Sequence, residues 1–199
     1  MIIGISGVAT AGKDTLYKLL EKKLLNKNII TKRIALADQL KIDLEPFIKN
    51  YIGIDILNAS PEEKKIVRGL MVVYGKIKRT QTQGKHWTSI AQKQVDECLN
   101  NKIIPIITDI RYSEYKEDEL FWLKERNKGF LIHVTRINSD GLVIPPANLE
   151  ERKNNPLIKR SADFKIKWRT RPTLEEIEKD SENILSKIER KIYANIQPR

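Results

Sequence analysis

Apolar residues along this chain follow two alternating spacings. Five short segments have the apolar runs or the alternation typical of β-strands, at residues 2–6, 31–36, 103–108, 130–135 and 163–168. Between them, apolar residues recur every three or four positions, as at Leu16, Leu19, Leu20 and Leu24, which predicts helices with one buried face. Strands that alternate with helices predict an α/β fold around a parallel sheet with right-handed crossovers.

Capping and helix-breaking residues bound the helices. Ser60 and Pro61 predict the start of a helix that is expected to end at Gly75, before a polar, basic, turn-like segment at 75–85. Further helices are predicted at residues 14–27, 40–51, 88–99, 115–127 and 174–193. The segment 137–162 contains one glycine, three prolines and many charges, so it predicts a mobile loop with one short helix.

The alternation of these segments predicts a single domain of three layers, α/β/α, with five parallel strands. The two long interruptions, about 38–100 and 137–162, would emerge at the carboxyl end of the strands. Sheets of this kind bind ligands at that end.

Composition limits the class of protein further. The chain has 199 residues, 40% hydrophobic and 32% charged, which is typical of a globular domain. No apolar run approaches the ~20 residues of a membrane span, and a strand rather than a secretory leader follows the first residue. Cys98 is the one cysteine and cannot form an internal disulfide, so we expect a reducing, cytoplasmic location and no membrane partner.

The formal net charge of +11 suits anionic ligands such as nucleotides, nucleic acid or acidic lipid. Many of the lysines fall on polar helix faces, and the abundance of lysine, isoleucine and asparagine is also typical of an AT-rich coding sequence. The sequence shows no recognised nucleic-acid-binding motif and no alternation of aromatic and basic residues. Charge alone therefore does not favour nucleic acid as a partner.

The segment from Gly7 to Lys13, here called the glycine loop, fits the phosphate-binding pattern G-x-x-x-x-G-K between a predicted strand and a predicted helix. Gly7 and Gly12 permit backbone angles that let a loop surround a phosphate with its N–H groups. Lys13 would bring a positive charge to the β- and γ-phosphates. The residues expected to contact ATP are Gly7, Ala9, Thr10, Ala11, Gly12, Lys13, Asp14 and Thr15.

The loop departs from the strict pattern at one position. Asp14 follows the lysine where a hydroxyl residue would ligate magnesium, and Thr15 comes next. We therefore expect Mg²⁺ to be held largely by phosphates and water, with Asp14, Thr15 and Asp109 as ligands that act directly or through water. Asp109 ends an apolar strand, and the alternative is that it caps a helix.

Other candidate residues follow from position. Arg111 comes two residues after Asp109, so both would lie at the same strand end, where a guanidinium could neutralise a transferring phosphoryl. Arg68 interrupts an apolar helix face and would clamp a substrate phosphate or be a surface arginine. Trp87 would stack on a base or belong to the core. His86, His133 and Cys98 have no metal-ligand spacing.

Several segments together resemble the phage-type deoxynucleoside monophosphate kinases. Residues 6–15 resemble their S-G-x-x-x-x-G-K-D-T loop, residues 36–41 their F-A-D-P-L-K segment, and residues 67–75 their R-x-L-x-Q-x-x-G helix. Residues 108–112 are similar to their D-V-R-F segment, and residues 132–136 match their I-x-V-x-R strand. The segments keep the order of the family over nearly the whole chain.

The resemblance implies a nucleoside monophosphate kinase fold, in which the five parallel strands take the spatial order 2-3-1-4-5 and residues 103–108 lie beside residues 2–6. It implies Mg²⁺-ATP as donor and a deoxynucleoside monophosphate as acceptor. It places an acceptor-binding region at about 38–100 and a lid at about 137–162. It implies acceptor-side roles for Asp38, Lys41, Arg68, Trp87 and Arg111, and catalytic roles for Lys13, Asp109, Arg111 and Arg136. Its lid residues would be Glu151, Arg152, Lys153, Lys159 and Arg160.

Some questions stay open at this point. Val72 stands where the family has a glutamine expected to help read the base, so the accepted base is undetermined. Another small-molecule kinase of the same fold, of the phosphomevalonate or dephospho-coenzyme A type, is an alternative. A basic nucleic-acid-binding NTPase is a second alternative, and the oligomeric state is open, with a homodimer as one option.

Overall fold

The computed structural model describes residues 1–171 and 173–196. The strands are β1 (Ile3–Ser6), β2 (Thr31–Ile34), β3 (Ile104–Ile110), β4 (Phe130–Ile137) and β5 (Phe164–Arg169). The helices are α1 (Lys13–Leu25), α2 (Leu36–Ile52), α3 (Pro61–Gln81), α4 (Lys85–Asn100), α5 (Glu119–Phe121), α6 (Leu149–Ser161) and α7 (Leu174–Ile196). A π-helical segment, Trp122–Arg126, continues α5.

The five strands form one parallel sheet in the order β2-β3-β1-β4-β5, which confirms the predicted topology. β1 lies at the centre of the sheet, between β3 and β4. The glycine loop that follows β1 therefore lies beside the carboxyl ends of both strands. Pro105 lies in the interior strand β3 although it has no N–H to donate. Pairing between β3 and β1 begins only at Ile106, which is opposite Ile3, so Pro105 precedes that ladder.

Helices cover both faces of the sheet. On one face, Leu16 and Leu20 of α1 and Leu185 and Ile188 of α7 pack against β1, β3 and β4. On the other face, a second apolar cluster joins α4 and the π-helical segment to the sheet, with Val95 and Trp122 among its buried residues. The observed architecture is therefore the predicted three layers. Among the described helices, none combines the length and apolarity that a bilayer crossing requires.

Helices α2 and α3 pack beside α4 and also enclose a small core of their own. Leu44 and Ile48 of α2 pack with Ile54, Ile56 and Val67 in this cluster. Ser60 begins α3 with a complete capping box, in which its hydroxyl accepts from the N–H of Glu63, as the sequence predicted. This helical pair forms one wall of the cavity described below.

Three boundaries differ from the sequence prediction. The segment 75–85 is not a turn, because α3 continues through Gln81 and buries Arg79 in an ion pair. The helix predicted at 115–127 begins only at Glu119, because the Asp118 carboxylate holds residues 114 and 115 in a loop by accepting their N–H groups. In the segment 137–162, the helix is longer than expected, because α6 has 13 residues and is capped by Asn148, and residues 138–148 form the loop before it.

Candidate functional site

The glycine loop joins β1 to α1 and is shaped by close contacts with two other strands. Gly7 has φ 142°, and a Cβ there would lie 2.6 Å from the carbonyl oxygen of Val134. Gly12 has φ 93°, and a Cβ there would lie 2.8 Å from the ring of Trp168. Both glycines are therefore required by backbone angle and by space, as the pattern predicted.

Lys13 is the first residue of α1, and its ammonium lies inside the glycine loop. Its Nζ donates to the carbonyl oxygens of Gly7 and Val8, at 2.9 Å each. Burial, followed by the nearby Arg111 guanidinium, lowers the pKa of Lys13 to about 8. The ammonium is thus held inside the loop by two backbone carbonyl oxygens, in surroundings that disfavour its charge.

A carboxylate already lies against one N–H group of the loop. The N–H of Ala9 is 3.2 Å from both Oε1 and Oε2 of Glu151, which belongs to α6. The guanidinium of Arg111 approaches the same carboxylate, with Nη1 3.5 Å from Oε1. Glu151 was expected only as a lid residue, and nothing in the sequence indicated that it would reach the loop.

Asp109 lies at the carboxyl end of β3, beside the glycine loop, because β3 pairs with β1 as predicted. Its two oxygens accept the N–H groups of Leu36 and Ala37, at 2.9 and 2.8 Å, at the start of α2. A carboxylate there is favoured by the positive end of the helix. Asp109 therefore caps α2, which precedes it in the chain, rather than the helix that follows it, and any metal contact would be additional.

A second buried carboxylate, Glu119, supports the same strand end. Its Oε2 accepts the N–H groups of Arg111 and Tyr112. Burial, followed by the charge of Asp109, raises the pKa of Glu119 to about 8. Glu119 thus fixes the backbone from which Arg111 projects, and sequence reasoning missed it because it falls in a segment rich in charged residues.

Arg79 and Asp118 form a buried ion pair behind this segment. The guanidinium donates from Nε and Nη2 to the two carboxylate oxygens, at 3.0 and 2.8 Å, and the two side chains are 2% and 0% exposed. The guanidinium also lies 3.6 Å from the ring centre of Tyr112. This pair joins α3 to the segment after β3. Residue type and spacing did not indicate this pair, because buried and exposed charges look alike in a polar stretch.

These elements enclose one cavity of about 300 Å³. The glycine loop, the end of β3, α2, α3 and the start of α6 all contribute to its wall. The predicted site residues that it brings together are Lys13, Asp14, Asp38, Lys41, Arg68, Trp87, Asp109, Arg111 and Glu151. Trp87 is also a core residue, 4% exposed, with its Nε1 directed at the carbonyl of Gly75.

Other predicted residues lie outside this cavity. Nη1 of Arg136 donates to the carbonyl oxygen of Thr10, at 3.1 Å, so Arg136 contacts the outer side of the glycine loop. On α6, the residues Arg152, Lys153, Lys159 and Arg160 are exposed. Nζ of Lys153 lies 2.5 Å from the Glu114 carboxylate rather than at the loop.

Side chains of alternating charge lie next to one another in the wall of the cavity. Arg33 lies 3.3 Å from Asp14 and 2.9 Å from Asp38, and Lys41 lies 2.7 Å from Asp38. Burial alone would raise the pKa of Asp38, but the hydrogen bonds and charges of Lys41 and Arg33 outweigh it and hold the pKa below its usual value. Asp38 is therefore a fixed anion, and Arg33 is a cavity residue that the sequence analysis did not single out.

The histidines do not form a metal centre with the cysteine. Nδ1 of His133 lies 3.0 Å from Oγ of Ser6, inside the sheet. Burial, followed by the charges of Lys159 and Lys13, lowers the pKa of His133 to about 4. Within residues 1–171 and 173–196, there is no cluster of three or more histidine, cysteine or acidic side chains able to hold a metal.

No protein-family model matches the sequence, and no curated protein sequence matches it. Among solved structures, the chain is similar to a dephospho-CoA kinase from Campylobacter jejuni, at 14% identity and a TM-score of 0.48 over 95% of this chain and 97% of that one. It is also similar to the APS kinase CysC from Mycobacterium tuberculosis, at 14% identity and a TM-score of 0.40 over 93% and 96%. A shikimate kinase from Acinetobacter baumannii, in complex with shikimate, has 13% identity and a TM-score of 0.44 over 98% and 93%.

Proposed function

We propose that this protein transfers the γ-phosphoryl group of ATP to the phosphate of a nucleoside or deoxynucleoside monophosphate. The observation that carries the proposal is the distribution of charge in the cavity. The glycine loop with Lys13 forms one part of its wall, and the cationic side chains of Lys64 and Arg68 contribute to another. Within the described part of the chain, neither Lys64 nor Arg68 forms an ion pair, so both are available to an anionic acceptor.

The state of the carboxylates favours a phosphate over a hydroxyl as the acceptor. A hydroxyl acceptor needs a general base, and a base must be free to take a proton. Asp38 is held by Arg33 and Lys41, and Asp109 and Glu119 accept backbone N–H groups. A monophosphate oxygen is already ionised near pH 7, because the second pKa of a phosphate monoester is about 6, so it needs no base.

The transfer itself then requires charge stabilisation and alignment. The bond between the β–γ bridging oxygen and the γ-phosphorus breaks while an acceptor oxygen forms a new bond to that phosphorus. Lys13 would stabilise the charge that grows on the bridging and γ-oxygens, and Arg111 would grip the transferring phosphoryl from the acceptor side. Arg68 and Lys64 would hold the acceptor phosphate in line.

Magnesium fits this site as an ion held mainly by the nucleotide. Asp14 is paired with Arg33 and Asp109 with the start of α2, so neither carboxylate is committed to a preformed metal site. Mg²⁺ prefers to retain several waters and to bind substrate phosphates with few protein ligands. When bound, it would neutralise phosphate charge, and Asp14, Thr15 and Asp109 are the residues that would hold it, directly or through water.

The test is an acceptor panel read as ADP formation with Mg²⁺-ATP. We expect at least one of the common deoxynucleoside monophosphates to be phosphorylated, and phosphomevalonate and dephospho-coenzyme A to be poor acceptors. Arg68→Met should raise KM for the monophosphate with little change in ATP affinity, whereas Arg126→Met, an exposed arginine outside the cavity, should change neither. Transfer to dephospho-coenzyme A alone would contradict the proposal.

A further inference from the structure

Glu151 is a buried acid whose surroundings are those of a bound anion. Its side chain is 7% exposed, and its carboxylate accepts from the N–H of Ala9 and from the N–H of Ala147, the latter at 2.9 Å to Oε2. The guanidinium of Arg111 also lies beside this carboxylate, with Nη1 3.5 Å from Oε1. Backbone N–H groups and an arginine are the donors that proteins use to bind phosphate.

The carboxylate and a donor phosphate would need the same groups. Ala9 lies in the middle of the glycine loop, and its single N–H already divides between the two oxygens of Glu151. Nη1 of Arg111 lies 3.5 Å from Oε1 of Glu151, so a phosphoryl oxygen at that position would compete with the carboxylate for it. Two anions at this position would also repel each other at close range in a partly desolvated site.

The remainder of α6 is fixed by contacts that a phosphate would not disturb. Oδ1 of Asn154 accepts the N–H of Ser113, at 2.9 Å, and Glu150 pairs with Lys76 of α3, also at 2.9 Å. Glu151 is in the first turn of α6, so a change of its side-chain conformation could withdraw the carboxylate while those contacts persist. The competition therefore concerns one side chain rather than the whole helix.

From this geometry we infer that the Glu151 carboxylate is an internal phosphate substitute, which occupies the anion site of the nucleotide-free protein and must leave when donor phosphates bind. It keeps the glycine loop in its anion-binding shape and keeps Arg111 engaged until a nucleotide arrives. A binding site that is competent for only part of the time has an apparent affinity reduced by that fraction. Removal of the internal anion should therefore tighten nucleotide binding. The inference rests on the proposed function only in that the ligand of the loop carries phosphate.

The experiment compares Glu151→Gln with Glu150→Gln. Glutamine keeps the size of Glu151 and removes its charge, and Glu150 is the neighbouring acid in the same helical turn, paired with Lys76 instead of the loop. Calorimetric titration with a non-hydrolysable ATP analogue should give a Kd about 5- to 10-fold lower for Glu151→Gln than for the wild type, the size of a modest coupling between sites. Glu150→Gln should leave Kd unchanged.

A second measurement covers the case in which Glu151→Gln is less stable. Loss of the internal anion should lower Tm, and tripolyphosphate should restore it with a larger increase in Tm in the variant than in the wild type. An unchanged or weaker nucleotide Kd together with an equal tripolyphosphate effect would overturn the inference. That result would leave the kinase proposal intact, whereas tighter binding without any accepted monophosphate would contradict the kinase proposal alone.

Discussion

The indole N–H of Trp168 donates to the carbonyl oxygen of Ala11, at 3.0 Å, so the outer strand β5 is hydrogen-bonded to the glycine loop. The two residues are 157 positions apart, and the hydrogen bond is buried. Trp168 also fills the space beside Gly12, where a Cβ would collide with its ring. The conformation of the loop therefore depends on a strand at the edge of the sheet.

Trp168→Phe is expected to loosen the glycine loop without disrupting β5. Phenylalanine keeps most of the apolar ring but cannot donate, which leaves a buried carbonyl unsatisfied at a cost of about 1–3 kcal/mol. We expect a lower free energy of unfolding and a several-fold weaker Kd for an ATP analogue. An unchanged nucleotide Kd would show that the hydrogen bond does not set the shape of the loop.

Lys13→Ala should reduce kcat by ~10²-fold or more, because the ammonium would stabilise charge that grows as the β–γ bond breaks. Circular dichroism should show an unchanged fold, since Lys13 lies at the start of α1 rather than in the apolar core. If the variant retains near-normal transfer to every monophosphate tested, the proposed mechanism is wrong.

Arg111→Lys should fall well below wild-type kcat although it keeps the positive charge. Lysine lacks the planar fork that can hold two oxygens of a phosphoryl group. Arg126→Lys, on the exposed surface of the π-helical segment, is the matched control and should leave kcat unchanged. Equal kcat values for the two variants would show that Arg111 has no catalytic role.

Gly69→Ala should stabilise the protein by about 0.5–1 kcal/mol, because Gly69 lies in the interior of α3 and alanine is the better helix former. A Cβ at Gly69 meets nothing within 4 Å, whereas one at Gly75 of the same helix would lie 2.9 Å from Cδ1 of Leu40. Gly75→Ala should therefore give a smaller gain or a loss. Urea midpoints at constant m-value measure both, and a larger gain at Gly75 would contradict this packing.

Acid should destabilise the native state through His133. Its folded pKa of about 4 lies below the ordinary 6.5, so the native state disfavours the charged imidazole. The contribution of neutral His133 to the free energy of unfolding is therefore complete above pH 6.5 and is lost as the pH falls toward 4. His133→Asn, which keeps an acceptor near Ser6, should lose less stability than the wild type between pH 6.5 and pH 4. If the free energies of unfolding of the two proteins fall in parallel over that range, the pKa of His133 is not lowered in the folded state.

The strands and helices could be predicted from the sequence because the evidence for each was local, whereas their order in the sheet came from the family resemblance. The apolar run of β1, the glycine pattern and the helical spacing of α1 are adjacent in the chain and agree with one another. Once β1 and β3 were placed side by side, the proximity of Lys13 to Asp109 and Arg111 followed. The predicted acceptor residues Asp38, Lys41, Arg68 and Trp87 also line the cavity.

The contacts that the sequence could not predict are those between distant polar residues. Glu151 reaches Ala9 across 142 positions, and Arg79 reaches Asp118 across 39. A glutamate on a polar helix and an arginine in a basic stretch are usually exposed, so residue type and spacing carried no signal. Burial in an assembled structure is what makes these groups part of the site.

The Arg79–Asp118 pair also limits how the cavity can change shape. Separating the two charges would leave each one buried without a partner, which costs about 3–5 kcal/mol. Helix α3 and the segment that carries Arg111 should therefore move together as one block. The pairing between Lys153 of α6 and Glu114 is exposed on the lysine side and is weak in water. Even so, Asn154 and Glu150 still tie α6 to Ser113 and Lys76, so substrates would enter and leave through changes of single side chains such as Glu151 while the cavity wall keeps its shape.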